Sequence, residues 1–294
     1  MTVHECLEAP DHSAIDRPRT DLHRSVILPS NGWQLINARE LWQFRELLFS
    51  LVWRDVNVRY KQTVLGASWA ILQPLMMMIV FTIFFGRMAK VPSGGLPYPL
   101  FAYAGLLPWT FFATAISNAG NSVVGSERLI TKIYFPRLAV PFAAVGAAVV
   151  DFAIAFLFLI GMMIYYRVVP GRGFLLLPVL SGLITLTALG IGTLLSALNV
   201  AYRDFRYVIP FLVQLGMFAT PTVYMQPDAA TVGRLGALLS LNPMTPLIGA
   251  FRAAALGGTI HWGPLAIASA VVLAIFVVGC LYFRKVEDNF ADII

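Results

Sequence analysis

The sequence predicts an all-α integral membrane protein: six transmembrane helices, an N-terminal interfacial amphipathic helix before the first, and a re-entrant helix pair before the last. Three observations lead there. Of 294 residues, 58% are apolar and only 12% are charged, with a mean hydropathy of +0.75, whereas soluble domains carry about 25% charged residues. Apolar runs long enough to cross a bilayer recur between short polar connections. The basic residues gather on alternate connections, and this distribution, not a nucleic-acid partner, accounts for the net charge of +6.

Residues 1–38 hold acids and prolines and no apolar core of signal-peptide length, so they read as a loosely docked cytoplasmic tail. An interfacial helix is expected over residues 39–62. Gln43, Glu46, Ser50, Arg54, Asn57 and Lys61 form one stripe at helical spacing, with Leu41, Phe44, Leu48, Leu51, Val52 and Val56 opposite. Such a helix lies in the membrane plane. Arg45, Asp55 and Arg59 interrupt its apolar side, and Asp55 and Arg59, four apart, are placed to pair. The helix leads without a loop-forming cluster into an uncharged run from Gln62 to Gly86, the first span of a transmembrane domain over residues 63–294.

The second span runs from Leu100 to Val124, with Pro108 expected to kink it. The third, Leu138 to Tyr165, carries Asp151 near its middle, in a four-residue series with Ala139, Ala143, Ala147 and Ala155. An ionised Asp at mid-bilayer costs roughly 2.5–3.5 kcal/mol on insertion scales, so Asp151 faces protein or water. Two readings stand for it: an interhelical hydrogen bond that fixes packing, or a coupling or conduction residue. A lone acid is a poor proton relay, which favours packing.

The fourth span, Phe174 to Leu198, has Ala188, Gly192 and Ser196 as a small-residue face. A fifth, Val208 to Tyr224, is interrupted by Pro210 and Pro221. Ala229–Leu241 and Thr245–Leu256 are too short to cross and suit a re-entrant pair. The sixth span, Pro264 to Phe283, is closed by Arg284 and Lys285. Of 21 Lys and Arg residues, fifteen fall with the termini, which the positive-inside rule puts in the cytoplasm.

Catalytic signatures are absent. The chain has no Gly-Lys pair for a Walker A loop, no HExxH, no GxSxG and no Cys pairs at zinc spacing, so neither a metal nor a cofactor is expected in it. His4, His12, His23 and His261 stand away from clustered acids and read as solvated; Cys6 and Cys280 have no evident partner. An ion-driven carrier would show paired half-repeats and more intramembrane charge. The remaining energy source is a separate nucleotide hydrolase, held by the charged connection Gly125–Arg137.

The runs RYKQTVLGASWAILQPL, GLLPWTFF, SERLITKIYFPR, YRDFRY with TPTVY, LNPMTPLIGAFR and FRKVEDNFADII, in this order over residues 35–294, resemble the membrane subunit of ABC-2 type exporters for polysaccharide or polyol phosphate. That resemblance implies a homodimer joined to two copies of a separate ATPase, which binds ATP and Mg. It implies passage of a polyprenyl-diphosphate-linked polysaccharide, O-antigen foremost, across a bacterial inner membrane. By position, Leu41–Lys61 would be a gate helix, and Glu127, Arg128 and Lys132 would seat the ATPase.

Sugars offer hydroxyls at their edges and C–H groups on their faces, so a passage lined by aromatics and amides can hold them weakly at many places. Trp109, Phe112, Asn118, Asn121 and Tyr224 are the channel candidates, with lipid packing as the alternative for each. Arg54, Arg59, Lys61, Arg203 and Arg206 could meet a lipid diphosphate or simply anchor the cytoplasmic edge. Teichoic-acid or capsule export differs only in substrate. A drug exporter of the same fold, or a membrane enzyme acting on polyprenyl lipids, would differ in kind.

Overall fold

Long uninterrupted apolar runs have no way to satisfy their backbone in lipid except as helix, and helix is what they form. The computed structural model describes residues 42–61, 63, 66, 68–132, 135–224, 242–287 and 290. Among these the chain forms α1 (Arg45–Tyr60), α2 (Ser68–Phe81), α3 (Tyr98–Gly125), α4 (Glu127–Lys132), α5 (Ala139–Tyr165), α6 (Leu177–Ala201), α7 (Phe205–Ala219), α8 (Met244–Leu256) and α9 (Trp262–Val286), with no strand. A π-helical segment, Thr82–Met88, prolongs α2, and a 3-10 turn, Arg172–Leu176, leads into α6.

The centre is α3. Residues 100–109 are buried without a break, because α5, α6, α8, α2 and α7 all pack on this one helix. Pro108, expected to kink it, lies inside α3, which continues to Gly125. Beside it, α6 and α9 form a close seam. A methyl on Gly190 would lie 2.7 Å from the Phe276 Cα, and one on Gly279 would strike the Gly190 carbonyl oxygen. Small residues at such a seam let two backbones touch, which is how helices associate where lipid removes the hydrophobic drive. Ala188 and Ser196 are fully buried, and a methyl on Gly192 would lie 2.7 Å from the Ala119 Cβ.

Among the described residues, five helical stretches are long and apolar enough to cross a membrane: Ser68–Met88, Tyr98–Gly125, Ala139–Tyr165, Arg172–Ala201 and Trp262–Val286. They correspond to the first, second, third, fourth and sixth expected spans. The fifth is the 15-residue α7, short of the roughly 20 residues a crossing needs, because the chain leaves the helix at Thr220 and turns through Pro221. Of the expected re-entrant pair, Thr245–Leu256 falls within α8, which is buried against α3 and α6. Ala229–Leu241 lies outside the described residues, as does the tail over residues 1–38.

The interfacial helix departs from expectation in two ways. First, it does not run straight into the first span: the chain turns at Lys61 and again at Gly66, where φ is +50°, a left-handed conformation open to glycine. Second, α1 runs alongside α5. A methyl on Gly146 would meet Val52 at 2.8 Å, while Arg59 and Tyr60 reach Asp151. Both helices therefore advance in the same direction, by about 12 Å and about 7.5 Å between these contacts at 1.5 Å per residue. The polar stripe from Gln43 to Lys61 is exposed and Leu51 is buried, but α1 as a whole has no marked apolar side. The reason is that its charges interrupt one face and Trp42, Phe49 and Trp53 are exposed on another. Its tip ends level with the middle of α5.

Candidate functional site

At that tip the packing fails to close. A cavity of about 300 Å³ lies between the end of α1, the turn after it, the start of α2 and the middles of α3 and α5. Its walls come from residues four apart on each helix, the spacing that puts side chains on one face: Trp69 and Gln73 on α2, Thr110, Thr114 and Asn118 on α3, Ala148, Phe152 and Ala155 beside Asp151 on α5. Trp69 is 52% exposed.

One charge pair holds the cavity's edge. Arg59 donates through Nη1 to Asp151 Oδ2, and Tyr60 donates its hydroxyl to Asp151 Oδ1. Each carboxylate oxygen thus has a donor, which makes an acid at this depth tolerable. Burial first, then the neighbouring carboxylate, pushes the Tyr60 hydroxyl above its ordinary pKa, so it remains a donor at neutral pH. The expected Asp55–Arg59 pair is corrected here. Asp55 instead accepts from Arg54 at 2.9 and 3.0 Å, while Arg59 points across to α5 and its charge is matched there by the Asp151 carboxylate.

The structure separates the other candidates. Asn118 lines the cavity. Trp109 and Phe112 are buried and pack on each other, with Trp109 also against Gly216 of α7. Asn121 bonds to Ser117 and accepts from Asn199 of α6 at 3.2 Å. Tyr224 donates to the Phe218 carbonyl at 3.2 Å. Arg54, Lys61, Arg203 and Arg206 are exposed, as are Glu127 and Arg128 on the six-residue α4; of Lys132 only its place in that helix is described.

The sequence reading missed Trp69, Gln73, Thr110 and Thr114, although their four-residue spacing was there to find. It gave no role to Arg252, one of the six Lys and Arg residues on the side opposite the termini. Arg252 is 9% exposed, lies 4.1 Å from the Phe101 ring centroid and donates to the Pro221 carbonyl at 3.2 Å. It helps pin the turn after α7. Tyr98 donates to the Val223 carbonyl at 2.8 Å, Asn242 donates to Thr220 at 2.8 Å, and a methyl on Gly105 would strike the Thr222 carbonyl oxygen.

The family model for ABC-2 type transporters matches residues 46–256. The O-antigen export system permease protein RfbA of Myxococcus xanthus is 32% identical over 74% of this chain and 82% of its own length. The Klebsiella pneumoniae protein of the same name is 26% identical over 85% of this chain and 95% of its own. The polysialic acid transport protein KpsM of Escherichia coli is 20% identical over 81% and 93%.

Proposed function

The chain belongs to the ABC-2 type transporter family, and on that premise we propose that it is the membrane subunit of an ATP-driven polysaccharide exporter, with O-antigen as the first substrate class. The observation that carries this reading is the likeness to O-antigen export permeases over most of their length and most of this chain. The cavity supports it: polar side chains and an exposed indole among membrane helices suit a carbohydrate better than a lipid tail or an apolar drug. The likeness to a capsule-type transporter favours a second substrate for the same machinery.

In this reading two copies of the chain form the passage, six crossings include α7 with the residues after it, and both termini face the cytoplasm of an inner membrane. A separate ATPase, two copies per dimer, binds ATP and Mg and docks on α4, whose exposed Glu127 and Arg128 are free to meet it. The substrate travels attached to polyprenyl diphosphate, and exposed Arg54, Lys61, Arg203 and Arg206 supply cations for its phosphates. Arg59 is already engaged with Asp151.

Deleting the gene tests this. Lipid-linked polymer should accumulate inside the cell while surface polysaccharide disappears. Unchanged surface polysaccharide with new sensitivity to toxic compounds would point to drug export instead. Failure to form polymer at all would point to an enzyme.

A further inference from the structure

We propose that the cavity at the bend between α1 and α2 is a binding subsite for one uncharged sugar ring, with Trp69 as its stacking platform and Gln73, Thr114 and Asn118 as its hydroxyl partners. The proposal deepens the export reading and rests on it for the source of the sugar.

Three features of the cavity point to this ligand. Among the described residues Gln73, Thr114 and Asn118 make no side-chain hydrogen bond within the protein, although all three face the same space. Their neighbours behave differently: Thr110 returns its hydroxyl to the Leu107 carbonyl at 3.0 Å, and Asn121 is spent on Ser117 and Asn199. Polar groups left unmatched against hydrocarbon cost free energy, so a lipid chain is a poor occupant.

The second feature is charge. Arg59 is the single cation among the described lining residues, and Asp151 neutralises it, so the cavity presents no net charge to attract a phosphate. Asp151 nonetheless keeps lone pairs beyond those used by Arg59 and Tyr60, and these can accept from a hydroxyl. The third feature is shape. The Trp69 indole, half-exposed at the rim, offers a flat face for the C–H side of a ring. A volume of about 300 Å³ stands at the lower end of ligand sites, which suits one ring of a passing chain and not a folded oligosaccharide.

The test uses the full chain in cells that make their polysaccharide, with each variant's amount in the membrane measured by immunoblot. With p-benzoylphenylalanine in place of Trp69, illumination should attach carbohydrate covalently to the purified chain, seen by periodate staining and absent when polymer synthesis is switched off. Trp69→Leu should cut surface polysaccharide by about threefold to tenfold, the worth of one aromatic contact, and Trp69→Phe should stay nearer the wild type. Cross-links to phospholipid or a second copy alone, or a Leu variant exporting like the wild type, would overturn the subsite while leaving export intact. Carbohydrate captured at position 69 in a strain whose surface polysaccharide survives deletion of the gene would sustain the subsite and sink the export reading.

Discussion

Where α6 meets α9, Gly190 and Gly279 bring two backbones into contact; where α2 meets α3 and α5, a space of about 300 Å³ stays open. Both places are helix contacts in a membrane protein, and the side chains make the difference. Glycine removes the spacer between backbones, so dispersion contacts replace any void. Thr, Gln and Asn hold the helices apart and leave hydrogen-bonding groups facing the gap. The first kind of contact fixes a scaffold, and the second leaves room for something to bind.

The sharpest way to break this contrast is to put a side chain into the closed seam. Gly279→Leu drives atoms into the Gly190 carbonyl, and it should cost about 3 kcal/mol or more, read as a lower thermal unfolding midpoint in detergent and a loss of monodisperse protein. Gly161→Ala, with nothing within 4 Å, should leave stability unchanged or raise it by up to about 1 kcal/mol.

Next in size is the pair at the cavity's edge. Removing one member of a fully buried ion pair costs about 3–5 kcal/mol. With side chains 31% and 19% exposed, Arg59→Ala or Asp151→Ala should cost less, about 1–3 kcal/mol by the same measurement. The combined Arg59→Met, Asp151→Leu variant should regain most of it. Single variants as stable as the wild type would mean that the pair does not hold α1 to α5.

A smaller effect separates two asparagines of similar appearance. Asn199 is 2% exposed and donates to the Gly120 carbonyl at 2.9 Å, so Asn199→Leu should cost about 1–2 kcal/mol. Asn118→Leu should change stability by under about 0.5 kcal/mol yet lower export. Equal costs for the two would make Asn118 a packing residue. Smallest of all is α4: with both residues exposed, Glu127→Ala with Arg128→Ala should leave the melting curve where it was. Transport should nevertheless be lost, and normal export would remove the ATPase from that helix.

Much of this architecture was legible in advance, for physical reasons that name themselves. Long apolar runs marked α2, α3, α5, α6 and α9 because hydrocarbon thickness sets a length that few soluble helices meet. The short α7 was overdrawn because its apolar run continues past Thr220, and periodicity does not see the turn at Pro221. The partner of Arg59 was invisible: Asp55 is four residues away and Asp151 is 92, and spacing reads only the near one. The same limit explains the aromatics. Trp109 and Phe112 are on the same helix as Thr110 and Thr114, but which stripe faces a cavity depends on neighbours elsewhere in the chain.

The bend at Gly66 has a mechanical consequence. The turn after α7 is clasped by Tyr98, Asn242, Arg252 and the bare backbone at Gly105. At Gly66 a side chain would find nothing within 4 Å, and a φ of +50° turns the chain onto the course of α2. A rod about 24 Å long, braced against α5 at Val52 and tied at its tip to Asp151, moves as one piece. A displacement of its outer end would therefore be felt at the mouth of the cavity.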